Sequence, residues 1–144
     1  MEGKSFTASI AVAGTPLDAF NHITQVSKWW TRDFEGSCAK LGDEFVIYHP
    51  GQHYSKQRLT EFIPGKKLVW LVTHSEMSWL DKDKTEWTGT RMIFDLKPRA
   101  DTTHIHFTHE GLVPGKECYE RCTQGWDMVI KNQLAGFIST GKAI

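Results

Sequence analysis

The chain has 144 residues, of which 40% are hydrophobic and 24% charged, with 17 Lys+Arg against 17 Asp+Glu. That length suits one domain spanning residues 1–144, and the mixture is that of a globular chain rather than a disordered or fibrous one. A formal net charge of zero argues against a nucleic-acid binder or a protein of anionic membranes, which would carry a basic excess.

The three cysteines, Cys38, Cys118 and Cys122, are an odd set, which argues against a secreted disulfide framework. The first ten residues lack a basic segment followed by an apolar one, so no secretory signal is expected. Nowhere do about 18 apolar residues run together, so no spanning helix is expected either. A cytoplasmic location with reduced thiols follows as the default expectation.

From Phe6 to Val12 the chain alternates, with Phe6, Ala8, Ile10 and Val12 on one side, and a period of two predicts a strand. Gly14 ends it. Thr15-Pro16 then opens a helix with a capping threonine before a proline at the first helical position. A second short helical stretch is predicted from Val26 to Trp30.

Strand patterns resume after Gly42. The predicted runs are Phe45 to His49, Tyr54 to Ile63, Leu68 to His74, Thr90 to Lys97 and Thr103 to His109. Pro64-Gly65 and the stretch from Pro98 to Asp101 read as turns. The polar segment from Ser75 to Trp87 reads as a long loop. Finally, Cys122, Trp126, Val129, Ile130, Leu134, Phe137 and Ile138 fall on one face of a long amphipathic helix, about 117–140. Strands joined by short turns predict an antiparallel sheet, and only this helix is large enough to cover its apolar face.

Several segments in this order resemble the START-like (SRPBCC) superfamily and, within it, the activator of Hsp90 ATPase homologue 1-like family. They are Thr15-Pro16-Leu17-Asp18-Ala19-Phe20, Ser27-Lys28-Trp29-Trp30, Pro64-Gly65-Lys66-Lys67-Leu68-Val69-Trp70, the run from Gly89 to Leu96, Thr108-His109-Glu110-Gly111-Leu112, and Gly125-Trp126. The resemblance covers nearly the whole chain. It implies an α+β helix-grip fold, START-like or Bet v 1-like, in which a curved antiparallel sheet wraps around a long C-terminal helix with an apolar cavity between. The partner it implies is a hydrophobic or amphipathic small molecule. A chaperone partner, or a cyclase- or hydrolase-like activity on the same scaffold, stands as the alternative, since a fold does not choose a function.

Trp30, Trp70, Phe94, Phe107 and Trp126 are the aromatic residues expected to meet inside. For Trp30 and Trp126 the sequence leaves two roles open, plain core packing and a cavity wall whose indole N–H orients a ligand. His49, His74 and His109 share the apolar parity of their strands and complete the candidate ligand-binding set. With Glu61 or Asp95 they could form an acid–base site, although placement at a cavity mouth is the simpler reading, and no catalytic residue is assigned. Gly125, within the helix, suggests a close approach to the backbone.

No cofactor or metal is expected. His104 and His106 share a strand face and Cys118 and Cys122 lie one helical turn apart, but neither pair has a third ligand at a recognisable spacing. Gly136 to Lys142 fits seven positions of a phosphate-binding loop, yet Ala143 stands where a Ser or Thr is required. That segment reads as a helix end capped by Gly141.

Overall fold

The computed structural model describes residues 4–49 and 53–144, with the side chains of His49 and His53 outside the description. After β1 (Phe6–Ala13), Thr15 caps α1 (Pro16–Ile23), its side chain accepting the Asp18 N–H at 3.1 Å, with Pro16 opening the helix. A 3₁₀ turn (Val26–Lys28) leads to the Trp29-Trp30 pair. There follow β2 (Phe34–Gly36), β3 (Glu44–His49), β4 (His53–Ile63), β5 (Lys67–Met77), β6 (Arg91–Arg99) and β7 (Thr102–Glu110).

All seven strands join one curved antiparallel sheet in the order β1-β7-β6-β5-β4-β3-β2. The chain then forms a continuous C-terminal helix of 22 residues. It comprises α2 (Tyr119–Trp126), a π-helical stretch (Asp127–Leu134) and α3 (Ala135–Thr140). Its second half packs on β1 and α1, and α1 lies against β6 and β7.

The π-helical stretch answers a mismatch between residue spacing and helix pitch. Cys122, Trp126, Ile130, Leu134 and Ile138 are all buried and follow one another at intervals of four. In a pure α-helix, with 3.6 residues per turn, that series would drift by about 160° around the axis. The wider π turn takes up the drift and keeps the row facing the sheet.

Strand parity holds cleanly on β6 and β7. Met92, Phe94 and Leu96, and then Thr103, Ile105, Phe107 and His109, are buried on the inner face, while His104 and His106 stay half-exposed on the other. β5 departs from the simple pattern. Its register with β4 shifts between Lys56 and Gln57, which pair with His74 and Val72 and leave Thr73 as an extra residue. A β-bulge of this kind reverses side-chain parity beyond it. His74, expected inward, is therefore exposed, and Ser75 and Met77 are buried in its place.

Two boundaries also differ from the sequence reading. β5 runs on to Met77, into the segment read as loop, and β6 continues through Pro98 to a turn at Ala100 and Asp101. The extra strand, β2, is three residues long and too short to show a period. It places Phe34 on Phe45 with ring centroids 5.4 Å apart. Gly36 closes it at φ 110°, where a Cβ would come within 2.3 Å of the Glu44 carbonyl oxygen. Only glycine fits there. At the far end of the chain, Gly141 caps α3 in the left-handed conformation, its N–H donating to Phe137 O at 2.8 Å.

Candidate functional site

The five aromatic residues expected to meet form a closed ring of contacts. Centroid separations are 5.9 Å for Trp30–Trp70, 4.9 Å for Trp70–Phe94, 5.0 Å for Phe94–Phe107, 4.6 Å for Phe107–Trp126 and 5.0 Å for Trp126–Trp30. Trp29 and Trp87 extend it, Trp87 stacking on Trp126 at 5.9 Å with an interplanar angle of 8°. All seven are buried. Each contact is worth about 0.5–1.5 kcal/mol beyond the area it buries, so the middle of the space between sheet and helix is a packed aromatic core.

Room for a ligand lies beside that core. A cleft of about 700 Å³ opens where the helix passes the segment after the 3₁₀ turn and the loop between β5 and β6. Trp30, Trp79, Trp87 and Trp126 supply its aromatic wall, Met128 and Val129 its aliphatic one, and Gln133 a polar group. Of the candidate ligand-binding residues, Trp30 and Trp126 reach this cleft, whereas Trp70, Phe94 and Phe107 stand behind them in the core. His74 is on the opposite face of the sheet, and the His49 side chain falls outside the described residues.

His109 is inside, but it belongs to the core. The Trp126 indole N–H donates to its Nδ1 at 2.9 Å. The Thr90 hydroxyl donates to the Trp87 carbonyl at 2.6 Å and so receives the His109 Nε2–H, the two atoms being 2.8 Å apart. Both ring nitrogens are used, in one tautomer of the neutral imidazole. Burial, with a smaller contribution from the Lys116 ammonium, pulls His109 down to about 3. The Trp126 N–H is likewise committed and is not left to orient a ligand. Glu61 is exposed, and Asp95 pairs with Lys67 at 3.7 Å on the outer face, so neither joins His109.

Two of the thiols are equally quiet. Burial pushes Cys38 up to about 12, against the Trp70 indole. The Cys122 thiol beside it, and then burial, hold Cys118 far above the ordinary thiol range. Among the described residues no three His, Cys, Asp or Glu side chains converge as metal ligands, and no helix is long and apolar enough to cross a membrane.

Two features of the site had no counterpart in the sequence reading. Glu86 accepts the backbone N–H groups of Glu117 and Cys118 at 2.8 and 3.1 Å, while Glu117 accepts those of Asp81 and Lys82 at 3.1 and 3.0 Å. These reciprocal carboxylates clamp the β5–β6 loop to the start of the helix and fix one wall of the cleft. The Gln133 amide, for its part, donates to the carbonyls of Trp29 and Trp30 and ties the other wall to the π-helical stretch.

A sequence profile described as "Activator of Hsp90 ATPase homolog 1-like protein" matches residues 18–139. The chain belongs to that family. The fold of this family member is also similar to several solved structures. One is the solution structure of the Aha1 dimer from Colwellia psychrerythraea, with 21% identity, a TM-score of 0.77, and coverage of 96% of this chain and 98% of that one. A second is DynU16, from the dynemicin biosynthetic locus, at 13% identity and TM-score 0.71, over 97% of this chain and 49% of the other. A third is CalU16 from Micromonospora echinospora, at 14% identity and TM-score 0.66, over 98% and 85%. Comparison with curated protein sequences returns no match.

Gly125 departs from the close approach that the sequence suggested. A Cβ placed there would meet nothing within 4 Å, because the residue faces the cleft. Gly125→Ala is therefore expected to stabilise the protein by about 0.5–1 kcal/mol through helix propensity alone. Urea denaturation checks this; a loss of stability would mean that an unseen contact crowds the position.

Proposed function

We propose that this chain binds an apolar or amphipathic small molecule in the cleft beside the aromatic core. The observation that carries the reading is a recess of about 700 Å³, within the usual size range of small-molecule sites, walled by four indoles and left open by a helical glycine. Indole faces give such a ligand a large apolar surface at little entropic cost. Trp30 and Trp126 are the contacts nearest the core, with Trp70, Phe94 and Phe107 supporting them from behind. His109 holds Trp126 in place.

The neutral fluorophore N-phenylnaphthylamine tests this. It should bind the wild type at micromolar levels and quench or redirect tryptophan emission. Gly125→Leu, which grows a side chain into the recess from a helical position, should abolish binding while leaving the thermal melt unchanged or raised. Binding that survives Gly125→Leu would place the ligand elsewhere. An absence of binding by the wild type would favour the alternative of a protein-docking module, which the family's description supports.

A further inference from the structure

Both charged side chains lining the cleft are cationic, Arg32 and Arg121, and no Asp or Glu lines it. In a chain of formal net charge zero the charged side chains here thus share one sign, and the Ile144 oxygen, which also lines the cleft, meets one of them. Arg32 is already engaged, since its Nε donates to the Ile144 oxygen at 2.7 Å and its Nη2 donates to the same atom.

Arg121 is placed differently. Glu117, four residues before it and just ahead of the helix, is one carboxylate close to it in sequence. Yet the Glu117 carboxylate is occupied by the backbone of Asp81 and Lys82, and Glu86 by that of Glu117 and Cys118. The clamp that shapes the cleft thus takes these two carboxylates away from the arginine. Arg121 instead lies with Cζ 4.9 Å from the centre of the Trp79 ring. Among the described residues it has no carboxylate within 4.0 Å.

We infer that the ligand of this cleft is an amphiphilic monoanion. Its apolar body lies along Trp126 and Trp30, and its single carboxylate or sulfonate sits at the rim on the Arg121 guanidinium. This rests on the binding reading above and adds the charge of the ligand to it. A cation would be repelled, and a neutral molecule would give the guanidinium no charged partner in place of water. A dianion would bring a second charge with only one free cation to meet it. Trp79 supports the assignment from below, since a guanidinium held against a ring keeps its charge while its edge donors remain open to an anion.

Two probes that share one skeleton test the charge directly: anilinonaphthalene sulfonate and its neutral counterpart, N-phenylnaphthylamine. The wild type should bind the sulfonate about tenfold more tightly, the size expected of one charge-assisted hydrogen bond at a partly wet rim. Arg121→Gln should bring the two affinities to within about twofold by weakening the sulfonate alone. Arg121→Lys should keep most of the advantage, and Arg99→Gln, at the distant β6–β7 turn, should keep all of it. A sulfonate advantage that persists in Arg121→Gln, or that falls equally in Arg99→Gln, overturns the assignment. Equal binding of both probes by the wild type refutes the anion preference while leaving the cleft a binding site. Binding of neither refutes both readings.

Discussion

Trp126→Ala is expected to cost about 3–5 kcal/mol for the cavity it opens, with about 1–3 kcal/mol more from the hydrogen bond it removes. Trp126 is 2% exposed and touches Trp30, Trp87, Phe107 and His109, so no neighbour is free to collapse into the space without leaving its own partners. The second contribution arises because His109 Nδ1 would remain buried and unbonded. Trp126→Phe separates the two. It keeps an aromatic ring in the cluster and loses the N–H, so its cost should be about 1–3 kcal/mol and the variant should fold. Urea denaturation of the three proteins measures both steps. A cost below about 1 kcal/mol for the alanine variant would show that the indole lines open space rather than a packed core.

Much of this arrangement was legible because its physics is periodic. Alternation alone places Phe94, Phe107 and His109 on one face of two adjacent strands. The row at intervals of four places Trp126 opposite them. What periodicity cannot register is the insertion of a single residue. Thr73 has no composition that marks a bulge, and its effect is to send His74 to solvent while bringing Ser75 and Met77 inside. Gly125 misled for a related reason: a helical glycine signals either a close neighbour or an empty one, and the sequence does not contain the distance.

The bond between Trp126 and His109 was within reach. A buried indole N–H needs an acceptor, and His109 is one of three imidazoles, with His49 and His74, that alternation alone turns inward at a strand end. The clamp of Glu86 and Glu117 was not. It depends on how a loop between two strands folds back over a helix start, which neither period describes.

Stability is expected to fall as the solution is acidified from about pH 6.5 toward pH 3, and His109 is the cause. In the unfolded chain its imidazole titrates near the ordinary value of 6.5, whereas in the folded protein it resists protonation down to about 3. Between those two values the unfolded state binds a proton that the native state refuses. Its stabilising contribution is therefore fully present above pH 6.5 and is lost as the pH drops. The slope is about 1.4 kcal/mol per pH unit, or about 5 kcal/mol over the whole interval. The geometry gives the reason. A second ring proton would have to displace the Trp126 N–H from Nδ1. Asp43, Asp83 and Glu117 are also held below the ordinary carboxylate range, chiefly by hydrogen bonds from Ser37, Thr85 and the Lys82 backbone respectively. Their loss acts in the same direction, but below the ordinary carboxylate pKa of about 4. From pH 6.5 to 4.5 the difference between wild type and a His109 variant therefore isolates this one of the seven histidines. His109→Gln, which carries no titrating group, should be less stable than wild type at pH 7. Its stability should then fall by about 2–3 kcal/mol less than that of wild type across that interval. Urea midpoints at four or five pH values measure the two slopes. Parallel curves would mean that His109 titrates alike in both states, and that the chain from Trp126 through His109 to Thr90 does not hold the imidazole neutral.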